Sequence, residues 1–572
     1  MLHFFRLVVL SICCFVATLS STGCTTIVVD NQAEFDRLPE KLTSTIKAGK
    51  KSIYVKLLPG TYVAKEKHLT LKGLEADDTK IHIVGQGANL IPAGHEYHEG
   101  EIYQGTFSVD NSWMSGTYDV ETWSYIQYAE DLIEILDATE KRCRIKCKNT
   151  FPADTDFSNA YLLIPHWYQS SVYKIDKIDQ QYIYFVADDL KESSYGGYNV
   201  NDDYNYGKKG IRYKLCNVET NENYLHIIHG KVHLPKGVAS VWEGRTHNFL
   251  TLQDCTFSSV EIKGIRFLGN AFDDSKSAVV IKNTSCKAIR IHKCGFYGMR
   301  GNVISVTASP NVSIDNNQFE DCYHYGIKSN NESVNTVVEK NNFISMGKRM
   351  SNTPCVRCQG TNYRISDKVF LNFGYGGVYT GVWYKSKMKQ PCAGVIENND
   401  LSFNQDYLDH IDNYGIMDGG AIYLATKNAG SVVRYNYIHD FSGMKSNRGI
   451  FCDDGASNLE IYGNVITGIA NSRCIDSRRV AKVERSNTPE SAIDKANVNI
   501  IIRDNFLDGS IRFEAHEGPN NGCIKGANYI LPDQDGKMPK MIVDHVADPK
   551  DDILLDTDTK IKKYRNKLKL RK

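Results

Sequence analysis

An eight-residue pattern recurs along the C-terminal half of the chain and limits the possible folds more than any other feature. Its third position is aliphatic, its sixth is often asparagine and its eighth is a large apolar residue. Nine copies end at Phe267, Phe296, Phe319, Phe343, Phe370, Leu401, Ile438, Ile466 and Leu507. Position six is asparagine in six of the nine, at Asn317, Asn341, Asn399, Asn436, Asn464 and Asn505. Matches in one register over this length indicate a repeat architecture.

The spacing of the copies predicts a solenoid. Successive copies lie 23 to 41 residues apart, with strand-like alternation and no clear helical stretch between them. A single coil of this length cannot bury its own apolar face, so neighbouring coils must bury it together. Asparagine hydrogen-bonds locally and tolerates left-handed backbone, so its column is predicted to turn the chain and to stack on its own copies. We therefore predict an all-β fold, a right-handed parallel β-helix.

A second strand follows most copies and begins with a small residue and then an aliphatic one. The pairs are Gly326 and Ile327, Gly377 and Val378, Ala421 and Ile422, Gly449 and Ile450, and Cys474 and Ile475. The pair at 421–422 comes late, so the coil after Leu401 is predicted to carry an inserted loop, NQDYLDHIDNYGIMDGG. The insertion returns to the solenoid immediately before this second strand.

The remaining sequence divides the chain into five predicted segments. Residues 1–23 resemble a signal peptide, with a positive charge, an apolar run and small residues before Cys24. Residues 24–95 are predicted to form the first coils, 96–245 a β-rich insertion and 246–527 the main solenoid. Residues 528–572 are predicted to form a C-terminal cap and a basic tail. Cys24 follows small residues as the acylated cysteine of a bacterial lipoprotein does, so a lipid anchor at Cys24 is one expectation and plain secretion the other.

The charge balance, the apolar segments and the cysteine positions argue against nucleic-acid binding, a membrane span and a metal site. The chain has 68 basic and 67 acidic residues, which argues against a nucleic-acid binder. No later segment is apolar enough to span a membrane. Because the N-terminus resembles a secretory signal, we expect an exported protein of the periplasm or outer cell surface. Cysteines beside strand-like segments, such as Cys255, Cys294 and Cys322, are predicted to be free core residues. The pair Cys355 and Cys358 lacks a second ligand pair, so no metal site is predicted.

Acidic residues, histidines and arginines concentrate between residues 406 and 476, more densely than elsewhere in the repeat. Equivalent positions on stacked coils lie ~4.8 Å apart. Carboxylates one or two coils apart therefore approach the separations of about 5 Å in retaining and about 6.5–9.5 Å in inverting glycosidases. The chain is accordingly predicted to act on carbohydrate through paired aspartates.

Three aspartates are the predicted catalytic residues. Asp418 opens DGGAIYL where the inserted loop rejoins the solenoid, and Asp453 and Asp454 end GIFCDDG. Two adjacent carboxylates repel each other, which raises one pKa as a general acid requires. Because neighbours in a strand face opposite sides, one of the pair should point at the groove, and Asp453 is preferred. The alternative for all three is a turn aspartate, or a calcium ligand pair for the last two.

Further residues of the same stretch are predicted to contact the substrate. His439 followed by Asp440 has the form of a base and its orienting acid, although a polar turn explains the two equally well. The predicted contacts are His439, Arg448, Tyr423, Asp476, Arg473 and Asp412. For each of them, ordinary surface packing is the alternative.

The segments DGGAIYL, RYNYIHD and GIFCDDGASN resemble the catalytic coils of the parallel β-helix glycoside hydrolases of Bacteroides-type polysaccharide degraders. The group resembled contains α-L-fucosidases and xylanases, and its interrupting β-domain after the first coils is similar as well. The resemblance implies one acid from Asp418 and one from Asp453 or Asp454, and a carbohydrate substrate. No cofactor is predicted for a hydrolase. Cys452 and the long loop before Asp418 depart from the group's pattern, which leaves the sugar and the linkage open.

Two other functions fit the same residues. A β-helix polysaccharide lyase would act on uronic acids with a Lys or Arg base such as Lys328, Arg448 or Arg473, and often with calcium. A non-catalytic glycan-binding solenoid would rely on aromatic residues and would tolerate replacement of Asp418 or Asp453. Because parallel β-helices support all of these activities, the fold alone does not choose among them.

Overall fold

The protein forms a parallel β-helix, and the β-rich segment after its first coils forms separate antiparallel sheets. The structure is a computed structural model. It describes residues 23–65, 68–92, 97–102, 124–137, 140, 142–147, 160–165, 170–186, 212–214, 224–229, 231–232, 239–242, 248–270, 276–299, 301–347, 353–382, 390–403, 419–425, 430–441, 448–453, 456–469, 473–477, 498–515, 521–532 and 535–555.

Each coil contributes strands to three faces, and parallel pairing along each face joins successive coils. The first face carries positions one to four of the repeat and consists of Cys24–Val29, Ser52–Leu57, Glu75–Pro92, Thr256–Asn270, Ser285–His292, Val312–Asp315, Val337–Glu339, Thr361–Ser366, Ala393–Glu397, Ser431–Arg434, Ser457–Tyr462, Val498–Arg503 and Ile524–Lys525. The second face carries positions six to eight and consists of Gly60–Ala64, Gly295–Met299, Gln318–Glu320, Asn342–Met346, Val369–Phe373, Asp400–Ser402, Tyr437–His439, Val465–Ile466, Phe506–Leu507, Tyr529–Ile530 and Ile553–Leu554. Glu75–Pro92 and Thr256–Asn270 are long enough to serve both faces, so that these strands form one 24-stranded sheet.

The third face is a separate sheet of 12 parallel strands. Its strands are Leu69–Lys72, Leu250–Gln253, Ser277–Lys282, Asn302–Thr307, Ile327–Ser329, Val356–Cys358, Val378–Thr380, Gly420–Leu424, Arg448–Cys452, Arg473–Ser477, Ser510–Glu514 and Ile542–Asp544. These include the second strands predicted from the small and aliphatic pairs, each in register with its neighbours. The predicted β-helix is thus confirmed.

The chain leaves the solenoid after its first coils and returns in register. Glu75–Pro92 pairs with Thr256–Asn270, and Leu69–Lys72 pairs with Leu250–Gln253, so residues far apart in sequence form adjacent coils. Between them lie a seven-stranded sheet of Ser124–Asp137, Arg142–Cys147, Ala160–Pro165, Ser170–Asp179, Tyr182–Val186, Arg212–Lys214 and Tyr224–His229, and a three-stranded sheet of Tyr97–Ile102, Lys231–Val232 and Ala239–Trp242. All pairs in these two sheets are antiparallel, unlike the pairs of the solenoid.

A helix at Gln32–Lys47 was not predicted from the sequence. Asn31 caps it by accepting a hydrogen bond from the backbone N–H of Glu34 at 2.9 Å. Its apolar positions, Phe35, Leu38, Leu42 and Ile46, are buried at helical spacing against the first strands. The helix therefore covers apolar surface at the N-terminal end of the solenoid, which would otherwise face water. Among the described residues, no helix is long and apolar enough to cross a membrane.

The core consists of columns of like residues that stack from coil to coil. Five position-eight phenylalanines form a continuous stack with ring centroids 4.6 to 5.0 Å apart, namely Phe267, Phe296, Phe319, Phe343 and Phe370. Aliphatic residues continue this column in the later coils, and all of them are buried. Cys255, Cys294 and Cys322, which were predicted to be free core residues, are buried and unbridged.

The asparagine column forms the predicted ladder of hydrogen bonds. The side-chain oxygen of Asn341 accepts from the backbone N–H of Asn317 at 2.9 Å, and Asn436 serves Asn399 in the same way at 3.2 Å. The left-handed backbone, however, belongs to position five rather than to the asparagine. All nine copies have positive φ there, at Gly264, Lys293, Asn316, Lys340, Asp367, Asn398, Tyr435, Gly463 and Asp504. Position five turns the chain, and the asparagine then satisfies the backbone inside the turn.

Lys368 occupies the asparagine position of one coil and interrupts the ladder. It is completely buried, and its ammonium nitrogen makes no hydrogen bond in the described part of the chain. The side-chain oxygen of Asn399, one coil later, also lacks a donor. Burial holds the pKa of Lys368 well below its usual value, although the charges of Glu339 and Asp367 oppose this shift.

Replacing Lys368 by asparagine is expected to stabilise the protein by about 1–3 kcal/mol, because a buried amine without a partner is removed and the ladder is restored. Lys368 has a lower pKa in the folded than in the unfolded chain. The unfolded chain therefore binds more protons between the two values, and wild-type stability rises with pH across that window. Denaturant unfolding at several pH values should show this rise in the wild type and a flatter profile in Lys368→Asn. The exposed Lys282 supplies the control, since Lys282→Asn should change neither stability nor slope; an equal profile in both variants would contradict the prediction.

Candidate active site on the third face

One outward-pointing column of the third face carries the charged and aromatic residues of the candidate site. In each strand the residue after the buried aliphatic one points away from the core, because side chains alternate along a strand. On seven consecutive coils these residues stand in register, and we call them the third-face column: Lys328, Arg357, Tyr379, Tyr423, Phe451, Asp476 and Arg512. Cations therefore lie toward both ends of the column, and aromatic rings lie between them.

The middle of the column is a packed aromatic group. The rings of Tyr379 and Tyr423 stack with centroids 4.9 Å apart, and Tyr375 lies 5.7 Å from Tyr423. Phe451 meets Tyr423 edge-on at 5.1 Å. Tyr423 was predicted to contact substrate, and only 1% of it is exposed. Its ring is thus held rigidly, and its hydroxyl is the polar group that it offers to a neighbour.

Asp453 accepts a hydrogen bond from the Tyr423 hydroxyl. Asp453 follows the strand Arg448–Cys452, its backbone N–H donates to the carbonyl of Leu424 at 3.0 Å, and it is 2% exposed. Burial, together with the nearby charge of Asp453, raises the pKa of Tyr423 well above its usual value. The phenol therefore keeps its proton and acts as a fixed donor to the carboxyl group of Asp453.

Three arginines converge on Asp476, one coil beyond Phe451. Arg448 donates to it at 2.6 Å and Arg473 at 3.1 Å, while Arg512 makes two bonds at 2.6 and 2.7 Å. Burial of Asp476 alone would raise its pKa, but the hydrogen bonds of Arg512 and the charges of Arg448 and Arg512 lower it below the usual value. The carboxylate is ionised and 0% exposed, so it anchors the arginines and presents no surface to a ligand.

The arginine cluster and the aromatic group are continuous. The guanidinium of Arg448 lies 4.0 Å from the ring centroid of Phe451, which itself touches Tyr423. Arg448 and Arg473 occupy equivalent positions of adjacent strands, and about a third of the Arg473 side chain is exposed. A negatively charged group that approached this end of the site would therefore meet Arg473 first.

His439 lies on a different face from Asp453. It ends the second-face strand Tyr437–His439, where its ring nitrogens bond Asp400 at 2.9 Å and Asp440 at 2.6 Å. Tyr437 stacks on the same ring at 3.9 Å between centroids. The imidazole is thus engaged on both nitrogens by carboxylates, and the structure does not bring it into the third-face column.

Three predicted site residues, Asp412, Asp418 and Asp454, lie outside the described residues. Within the described part of the chain, no group of three or more His, Cys, Asp and Glu side chains is placed to hold a metal ion. Cys355 and Cys358, whose spacing resembles half of a metal site, are both buried in the solenoid core.

Sequence reasoning missed Arg357, Tyr379 and Arg512. A signal for the first two was available, because each directly follows the aliphatic residue of its third-face strand. Writing the strands one below another from Ile327 onward would have aligned both with Tyr423. The gaps between successive copies vary from 23 to 41 residues, so the sequence does not show which residues of adjacent strands pair. The strand pairing in the structure supplies that alignment.

Comparisons with known proteins give likenesses of fold at low identity. No protein family and no curated protein matches the sequence. A solved glycoside hydrolase is similar with a TM-score of 0.46 and 8% identity, over 95% of this chain and 98% of that one. A mannuronic acid-specific polysaccharide family 6 lyase from human gut microbiota has a TM-score of 0.27 and 12% identity, over 54% and 70% of the two chains. The A-module of an Azotobacter vinelandii mannuronan C-5 epimerase has a TM-score of 0.31 and 9% identity, over 93% and 97%. At these values the functional conclusion depends on the side chains of the third-face column.

Proposed function

We propose that this protein is an exported glycoside hydrolase whose general acid is Asp453 on the third face. The observation that carries the proposal is the Tyr423–Asp453 hydrogen bond inside a buried aromatic group. A glycosidase needs a carboxyl group held at a fixed position and shielded from water, so that its proton goes to the leaving oxygen. Asp453 is 2% exposed and is fixed on both its backbone and its side chain, which meets that need.

The second carboxylate of the proposed mechanism comes from Asp418 or Asp454. Asp476 does not fit this role, because its oxygens already accept four hydrogen bonds from arginines. A general base or nucleophile needs an oxygen that can reach water or the anomeric carbon. Asp418 lies two residues before the strand Gly420–Leu424 in sequence, and Asp454 directly follows Asp453.

The resemblance of DGGAIYL, RYNYIHD and GIFCDDGASN supports a finer version of the proposal. In this version the substrate is a plant- or host-derived glycan of the kind attacked by the group that contains α-L-fucosidases and xylanases. His439, on the second face, and Asp412 would then also bind substrate. Export to the periplasm or outer cell surface, with a lipid on Cys24, belongs to the same proposal. Cys24 starts the first strand of the solenoid, so an anchor there would join the folded body directly.

A polysaccharide lyase is the second candidate, and the arginine cluster favours it. Arg448, Arg473 and Arg512 share one carboxylate, so this group carries more positive than negative charge. A lyase needs positive charge to neutralise a uronate carboxylate before a base removes the adjacent proton. Tyr423 is a poor base for this step, since its raised pKa keeps the phenol protonated. A lyase would therefore need another base, such as Arg473 or Lys328.

Incubation of the mature protein with a panel of neutral and acidic glycans separates these functions. We expect new reducing ends without absorbance from unsaturated uronates, because hydrolysis adds water across the bond and leaves no double bond. Absorbance near the ultraviolet band of an unsaturated uronate would reject the hydrolase in favour of the lyase. Glycan binding with neither signal would instead support a non-catalytic solenoid.

A further inference from the structure

Arg357 is an arginine without an acidic partner among the described residues. It lies in the third-face strand Val356–Cys358, between two completely buried core residues, and points away from the core. Its one hydrogen bond goes from a terminal guanidinium nitrogen to the Tyr325 hydroxyl at 3.0 Å. The Nε atom is buried and makes none. Arg448, Arg473 and Arg512, the arginines at the other end of the column, all pair with Asp476. Arg357 differs from them, and a buried donor without an acceptor calls for an explanation.

Two tyrosines hold the guanidinium in place. Its central carbon lies 5.0 Å from the ring centroid of Tyr379 and 5.8 Å from that of Tyr325. The ammonium of Lys328 lies 5.0 Å from the same Tyr325 ring. Burial works to lower the pKa of Arg357, but the phenols of Tyr325 and Tyr379 offset this, so the guanidinium stays charged. Two cations thus flank one tyrosine ring, which concentrates positive charge at this end of the column.

We propose that Arg357, positioned by Tyr325 and Tyr379, is a binding subsite for the anionic group of an acidic glycan. A guanidinium presents parallel N–H donors that match a carboxylate or a sulfate, and here the Nε donor has no acceptor among the described residues. The subsite deepens the proposed function and rests on it, because it names the substrate class of the same face.

The position of Arg357 suits a sugar beside the cleaved bond rather than the reacting sugar itself. It stands two coils before Tyr423 in the same column. With strands ~4.8 Å apart, the two residues are separated by about 10 Å along the solenoid axis. A glycan lying along the third face would therefore place its scissile bond near Asp453 and a neighbouring acidic sugar at Arg357. Tyr379 lies between the two in the column, where it is 2% exposed and stacks on Tyr423.

Binding of defined oligosaccharides tests the subsite without relying on turnover. Calorimetry would use the full chain carrying Asp453→Asn, with an oligogalacturonate, a κ-carrageenan oligosaccharide, which carries sulfate and no uronate, and a neutral xylo-oligosaccharide of equal length. We expect one acidic oligosaccharide to bind more tightly than the neutral one, and the uronate and sulfate arms identify which anion is preferred. Adding Arg357→Gln should weaken that binding about ten- to a hundredfold and leave neutral binding unchanged.

Two further variants keep the result interpretable. Arg357→Lys retains the charge but loses the planar donors, so it should fall between wild type and Arg357→Gln. Arg503→Gln, an exposed arginine of the first face, should bind as the unmodified chain does. The proposal is overturned if no acidic oligosaccharide outcompetes the neutral one, or if a folded Arg357→Gln loses both affinities equally. Because binding is read directly, an active Asp453→Asn would reject the proposed acid and leave this result standing.

Discussion

Replacing Asp453 by asparagine is expected to lower kcat/KM by about two to four orders of magnitude. Asparagine has the same shape and can still accept the hydrogen bond from Tyr423, so the aromatic group should remain packed. It cannot release a proton to the leaving oxygen, and the chemical step therefore loses its acid. The measurement is the release of reducing ends from the glycan that the panel identifies, with the melting temperature of each variant recorded beside it.

Tyr423→Phe separates positioning from acid catalysis. The phenol donates a hydrogen bond but does not transfer its proton, because burial and the charge of Asp453 raise its pKa well above the usual value. Its loss should leave Asp453 chemically competent but less well held. We expect kcat to fall about ten- to a hundredfold with KM nearly unchanged, which a merely structural tyrosine would not produce.

Asp254→Asn is the matched control for these two variants. Asp254 is an exposed turn residue after the strand Leu250–Gln253, and its positive φ suits asparagine as well as aspartate. It should retain wild-type activity. If Asp453→Asn also keeps wild-type kcat/KM, the acid lies elsewhere, and Asp418 and Asp454 become the residues to replace.

The fold could be predicted because the same sequence pattern occurs in nine coils. The residues of the candidate site each occur once, so no repeated pattern identifies them. Each coil must place a large apolar residue at position eight and a turn one step before the asparagine, so nine copies report the same constraint. The helix Gln32–Lys47 is not part of the repeat, so the spacing of its own apolar residues was the only sequence signal for it. A solenoid end has to be covered, and the repeat carries no information on what covers it.

The candidate site depends on register between strands that are separated by loops of unequal length. Asp453 and Tyr423 could each be predicted from the local sequence, because Asp453 lies near a glycine in GIFCDDG and Tyr423 lies in the strand-like segment DGGAIYL. Their hydrogen bond joins residues 30 apart, and Arg512 reaches Asp476 across 36. His439 is close in sequence to the acidic stretch, but its strand belongs to the second face, so sequence proximity did not give its position in the solenoid.

Asp476 should be the most sensitive position of the third face for stability. Asp476→Asn is expected to lower the free energy of unfolding by about 3–5 kcal/mol, because removing one partner of a buried ion pair leaves the other charge uncompensated. Here three guanidinium groups lose their shared carboxylate, and the amide can accept only weaker bonds. The measurement is the shift in the denaturant midpoint of the full chain, for which Asp504→Asn is the control. Asp504 is about half exposed in its pair with Arg503, so its loss should cost about 0–1 kcal/mol.

The dependence on pH gives a second test of the same residue. The pKa of Asp476 is lower in the folded chain than its usual value, so the unfolded chain binds the proton more readily. The stabilisation is complete at neutral pH and is lost as the pH falls through that lowered value. Asp476→Asn should therefore be less stable than the wild type at pH 7, and the two should converge in acid. Equal midpoints at pH 7 for Asp476→Asn and Asp504→Asn would mean that the arginines find other acceptors, and that Asp476 does not organise this end of the site.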